Sequence, residues 1–126
     1  LKEDSAIALS SDFRGALAEN SVMQAFSSNG LRTYYWVPPS SWKTSGELDF
    51  LLQTDRMEIV PVEVKSARNV RARTLGSFMD KARSPYAYIL SENNFARSET
   101  DDGRELRHLP LYAAGFIGAN CLKGSL

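Results

Sequence analysis

Apolar and polar positions alternate along this chain with two different periods, and the switch between them outlines the elements. From Ser11, suited to an N-cap, to Ser28 the apolar residues recur at helical spacing, and Asn29-Gly30 supplies a pair suited to a left-handed C-cap. The stripe of this predicted helix is Gly15, Ala16, Glu19, Val22, Met23 and Phe26, so a carboxylate interrupts its core-facing side. Downstream the period shortens toward two. Residues 33–37 are aromatic and β-rich, a first strand stopped by Pro38-Pro39; residues 47–52 form a second strand and 57–65 a third, with Thr54-Asp55-Arg56 as the turn between them. Residues 74–82 read as a short helix with Leu75, Phe78, Met79 and Ala82 inward. Residues 85–91 read as a fourth strand, reached by a crossover and so parallel to the third. Residues 92–103 are polar and turn-rich, the expectation being a mobile loop; 104–109 suggest a short strand, and 111–122 an apolar closing helix begun by Pro110. Residues 1–10 carry no signal for an element.

The third strand breaks its own pattern. Successive side chains of a strand point to opposite faces, so Val60, Val62 and Val64 share one face and Glu63 and Lys65 the other. An unpaired buried carboxylate is costly, which makes these charges either the solvated face of an amphipathic strand or part of a site. A Glu-X-Lys triplet alone decides nothing, since chance supplies one in roughly every chain or two of this size. The hairpin offers a geometric test. Opposed residues of an antiparallel pair have a constant index sum, and Asp49 shares a face with Glu63 only if that sum is even. A three-residue turn with Gln53 paired to Met57 sets the sum at 110, which places Asp49 opposite Pro61 and Glu63 one step diagonal on the same face.

Composition narrows the chemistry. At 126 residues, 43% hydrophobic and 24% charged, the chain is one domain's worth of ordinary globular sequence, with no stretch long enough to span a membrane. It opens at Leu1 without an initiator Met, which suggests a piece of a longer protein, and its single cysteine, Cys121, suits a reducing compartment, with the cytoplasm the default location. One His and one Cys exclude a structural zinc cluster and leave only His108 as an imidazole base for any nucleophile. No Gly-X4-Gly-Lys-Ser/Thr loop is present, so the chain itself carries no ATPase motif. Carboxylates, lysines and arginines remain, a set suited to magnesium and phosphate. Residues 1–62 hold five Lys/Arg against eight Asp/Glu, and 63–126 ten against seven, giving minus three and plus three. Lys65, Arg68, Arg71, Arg73, Lys81 and Arg83 are opposed within their stretch only by Asp80, which suits a phosphate backbone but also a solvated loop and helix face. Trp42, in the polar loop 40–46, could stack on a base or cap the sheet end.

The element order, helix with Glu, strand, strand with Asp, strand with Glu-X-Lys, helix, strand, resembles the core of the PD-(D/E)XK nuclease superfamily. More specifically, Gly15-Ala16-Leu17-Ala18-Glu19-Asn20, Tyr34-Tyr35-Trp36, Gly46-Glu47-Leu48-Asp49-Phe50, Pro61-Val62-Glu63-Val64-Lys65-Ser66, Ser77-Phe78 and Leu109-Pro110-Leu111-Tyr112-Ala113 resemble the uncharacterised C-terminal domain of a family of prokaryotic AAA-type ATPases. The resemblance runs from about Asp12 to Ile117. It implies an α/β, restriction-endonuclease-like mixed sheet flanked by helices as a single domain over 12–126, with 1–11 as a linker from an N-terminal ATPase region that alone would bind ATP. It also implies catalytic roles for Glu19, Asp49, Glu63 and Lys65. Magnesium or manganese would be held by Asp49, Glu63 and the carbonyl of Val64, with Arg68, Arg71, Arg73, Lys81 and Arg83 on DNA. The activity implied is magnesium-dependent cleavage of DNA under the tethered ATPase. The rivals are a non-catalytic DNA- or protein-binding domain and an oligomerisation domain that regulates the ATPase, using the aromatic strand and the closing helix as its surface.

Overall fold

The fold is described by a computed structural model covering residues 11–36, 48–65, 73–118 and 121. Helix α1 (Ser11–Ser28) is followed by β1 (Thr33–Trp36), β2 (Leu48–Gln53), β3 (Ile59–Val64), helix α2 (Arg73–Ala82), β4 (Tyr86–Ser91), β5 (Ala96–Glu99), β6 (Glu105–Pro110) and a 3₁₀ helix (Leu111–Phe116). The six strands form one sheet in the order β1-β2-β3-β4-β6-β5. β2 runs antiparallel to both β1 and β3, β3, β4 and β6 run parallel, and β5 is antiparallel to β6 at the edge. The chain is thus a small mixed α/β domain whose sheet is covered by helices on both faces, and among the described residues no helix is long and apolar enough to cross a membrane.

Helix α1 ends as its sequence requires. Gly30 sits at φ 68°, Leu31 N–H bonds Phe26 C=O at 3.0 Å and Gly30 N–H bonds Ser27 C=O at 2.9 Å, the paired bonds of a glycine C-cap. Its buried stripe is Ala18, Val22 and Phe26, four residues apart, which pack with Phe50, Leu52, Val60, Val62, Leu90, Ala114 and Ile117. Gly15 and Ala16, expected on that stripe, are half-buried and exposed, and Glu19 is exposed at its edge. On the other face Leu75, Phe78 and Met79 of α2 bury against Ala87, Ile89 and Leu106, the inward set expected for this helix, with Ala82 at its border.

Three expectations are corrected. The β2–β3 turn is displaced by one residue: Thr54 N–H bonds Glu58 C=O at 2.9 Å and Met57 takes φ 64°, so the three-residue loop is Asp55-Arg56-Met57. The Thr54 hydroxyl accepts from Arg56 N–H at 3.3 Å and Glu58 N–H at 3.1 Å, which holds that loop in place. Residues 92–103 are not a structureless loop, because they contain β5, tied to β6 through a turn in which Thr100 N–H bonds Arg104 C=O and Gly103 lies at φ 82°. The closing helix is a single 3₁₀ stretch that gives way to extended backbone at Ile117 (φ −77°, ψ 139°); Cys121 then bridges to Thr54, so it does not continue as a helix to 122.

Candidate functional site

Strands β2 and β3 pair Phe50 with Val62, Leu51 with Pro61, Leu52 with Val60 and Gln53 with Ile59, an index sum of 112 in place of the expected 110. Both ends of the turn moved by one residue, so the sum stayed even as far as Phe50↔Val62, the last pair of the ladder. The alternation does not carry on regularly to Asp49: the β1–β2 register shifts between Tyr34 and Trp36, and Leu48 buries with the α2 cluster whereas Phe50 buries with the α1 cluster. Asp49 reaches the Val64 amide and lies beside Glu19 of α1, so the acids meet at the C-terminal end of β3.

Each acid is held by its neighbours. Val64 N–H donates to Asp49 Oδ2 at 2.6 Å, so Val64, expected to offer its carbonyl, contributes its amide to the site. Lys65 Nζ stands 2.5 Å from Glu63 Oε1, as the shared face of an i, i+2 pair requires. Lys65 N–H bonds Leu90 C=O at 2.8 Å, which extends the β3–β4 ladder under the lysine and fixes its backbone. Glu63 keeps only 7% of its surface, and its second oxygen, Oε2, is buried with no hydrogen-bond partner among the described residues. Such an atom is costly unless a partner arrives, because desolvation of a carboxylate oxygen is then not returned by a bond.

Helix α1 supplies the third carboxyl. Glu19 lies beside Asp49, close enough for its charge to act on both Asp49 and Glu63. Burial pushes the Asp49 carboxyl up to about 7; the Val64 amide opposes that rise, while the Glu63 and Glu19 charges add to it. Burial likewise raises Glu63, against the hydrogen bond and charge of Lys65, with Glu19 pushing in the same direction as burial. Three carboxyls therefore converge where two would already repel, and one lysine offsets part of the charge.

Among the described residues no group of three His, Cys, Asp or Glu side chains forms a ready metal cage. Magnesium does not need one, since it usually keeps several waters and takes one or two protein carboxylates beside substrate phosphates. Asp49 and Glu63 provide hard oxygen donors of that number, and the orphaned Glu63 Oε2 is a donor lacking a partner, so the residues present fit such an ion.

Of the basic residues expected on DNA, Lys81 and Arg83 are exposed at the C-terminal end of α2; Arg68 and Arg71 lie outside the described residues, as does the side chain of Arg73. Trp42 lies outside them too. A second group was missed at the sequence level: Tyr88, Phe95, Arg97, Arg107 and His108 line one cleft on β4, β5 and β6. The Asp102-Gly103 turn signal could have shown it, because it marks the hairpin that carries Arg97 and Arg107.

No curated protein and no solved structure matches the chain. The family model described as "Domain of unknown function (DUF4143)" matches residues 14–112, a span that starts in α1, includes Glu19, Asp49, Glu63 and Lys65, and ends in the 3₁₀ helix. The chain accordingly belongs to the DUF4143 family, a domain of unknown function found in AAA-ATPase-associated proteins.

Proposed function

We propose that this domain is a magnesium-dependent, nuclease-like phosphodiesterase acting on DNA and tethered to an AAA-type ATPase, with a restriction-endonuclease-like core. The observation that carries the reading is the buried, unpartnered Glu63 Oε2 beside Asp49, with Lys65 and Glu19 converging on the same point. The helix, antiparallel hairpin, helix and parallel β4 that frame it are consistent with that core. Asp49 and Glu63 would hold the ion. Magnesium bound there supplies a polarised phosphodiester and a more acidic water. The Val64 amide keeps Asp49 oriented, and Lys65, within reach of the Glu63 carboxylate, is placed to stabilise negative charge that develops on phosphate oxygens. Glu19, exposed on α1 beside Asp49, stands at the edge of the same site.

The test is manganese or magnesium titration by calorimetry together with cleavage of a panel of single- and double-stranded DNA. Wild type should bind and cleave, and Glu63→Gln should lose both. Cleavage that survives Glu63→Gln unchanged, or no ion binding at millimolar concentration, would refute the reading. A second reading is favoured by one observation: Lys65 on Glu63 Oε1 and the Val64 amide on Asp49 Oδ2 already satisfy one oxygen of each acid without any ion. In that reading the domain binds DNA or protein, or assembles the ATPase, without cutting. DNA binding that persists in EDTA with no cleavage under any ion would select it.

A further inference from the structure

The far edge of the sheet carries a group that the acidic site does not use. Arg97 of β5 lies in register with Arg107 of β6, two cations directly opposed, an arrangement that destabilises a sheet unless something else needs it. Both lean on one acid: Arg97 is 3.4 Å from Glu105 Oε1 and Arg107 Nε is 3.0 Å from Glu105 Oε2. Glu99 faces Glu105 across the same pair of strands, on the same face as the two arginines. The Arg107 guanidinium also lies over the Tyr86 ring, 3.6 Å from its centroid, so it is held flat and pre-set while Arg97 stays largely in solvent.

Beside these arginines is a cleft of about 350 Å³, walled by Tyr88, Phe95, Arg97, Arg107, His108 and Leu109. Its described walls bring two guanidiniums together with two aromatic rings, and the Glu105 carboxylate that touches both guanidiniums is not among them. Phe95 is 58% exposed although it makes an edge-on contact with Tyr112, itself 74% exposed. Neither ring is used by the core, and exposed aromatic surface of this kind costs solvation without return unless a partner covers it.

We propose that this cleft binds a nucleotide unit of a single nucleic-acid strand, the phosphate between Arg97 and Arg107 and the base against Phe95 and Tyr88. Cations interleaved with aromatic faces are what strand binding without sequence preference uses. The cleft is built on β4, β5, β6 and the segment before β5, and shares no residue with Glu19, Asp49, Glu63 and Lys65. It therefore stands apart from the catalytic reading and does not depend on it.

The experiment measures anisotropy of a labelled short oligothymidylate in EDTA, so that failure of the metal site leaves the result untouched. Phe95→Ala should weaken binding by roughly five- to a hundred-fold, the loss of one stacked base. Arg97→Ala should weaken it and flatten the salt slope by about 0.7, one phosphate contact on a single strand. Thymidine monophosphate in competition separates the sources: displacement at micromolar concentration assigns the cleft to free nucleotides, and displacement only by the oligomer assigns it to a strand, both supporting nucleotide recognition. The proposal is overturned if wild type does not bind the oligomer, if neither variant changes its affinity, or if a polyglutamate peptide competes as well as the oligomer. Both substituted residues are exposed, and circular dichroism checks that each variant keeps the fold.

Discussion

Replacing Asp49 by Asn isolates what the acidic cluster costs the empty fold. Its carboxyl rises from 3.8 to about 7 on folding, mainly because burial strips water from the charge. At 1.36 kcal/mol per pKa unit the rise corresponds to about 4 kcal/mol, and because the site is partly open to solvent, screening cuts this to on the order of 1–2 kcal/mol. The sign follows from the direction of the shift. A carboxyl raised on folding costs nothing below its unfolded value, near 4, and its full cost is reached only above about 7. Asparagine keeps an oxygen that can accept from Val64 N–H at the 2.6 Å position and carries no charge. Asp49→Asn should therefore raise unfolding stability in urea by about 1–2 kcal/mol at pH 8 and by almost nothing at pH 4. Magnesium at ten times its dissociation constant should stabilise wild type by about 1.4 kcal/mol and leave the variant unchanged. A variant no more stable than wild type at pH 8, or equally stabilised at both pH values, would refute the argument that the ionised Asp49 strains the fold.

Two other sites test the packing. Gly118 lies at φ 128° and a Cβ there would meet Leu31 Cδ2 at 2.8 Å, so Gly118→Ala should cost about 2 kcal/mol or more by urea unfolding; a cost below about 0.5 kcal/mol would show that Leu31 moves aside freely. Ser84 is fully buried with a hydroxyl that has no partner among the described residues, so Ser84→Ala should be neutral or stabilise by up to about 1 kcal/mol, and a clear loss of stability would reveal a bonded hydroxyl.

The parts of this fold that were legible in the sequence are those set by local chemistry. The α1 C-cap at Asn29-Gly30 needs a left-handed residue, and only the glycine adopts it at no cost. Leu75, Phe78 and Met79 reveal the buried face of α2 by spacing alone, and the parallel β3–α2–β4 crossover follows from a helix between two strands. The even parity of the β2–β3 register was also legible, because it depends on the length of a turn and not on its position. The position was not legible. Thr54 closes its loop through its hydroxyl, and Met57 enters the left-handed region with no glycine to announce it, so the register moved by two in the index sum.

The β5–β6 hairpin was lost for the opposite reason. Asp102-Gly103 announces a turn, but Ala96-Arg97-Ser98-Glu99 is exposed at every position and has no apolar rhythm, because an edge strand facing solvent does not need one. By itself, then, the sequence determined the order of elements from α1 to β4, the inward face of α2 and the residue types of the acidic site, all of which are consequences of period and side-chain chemistry. Only the tertiary structure decided that the Val64 amide holds Asp49 beside Glu19, that Glu63 Oε2 is buried without a partner among the described residues, and that Arg97 and Arg107 oppose each other beside Phe95. Those facts arise from strand register and from which strands become neighbours, and pairings between distant segments leave no local trace in a single chain.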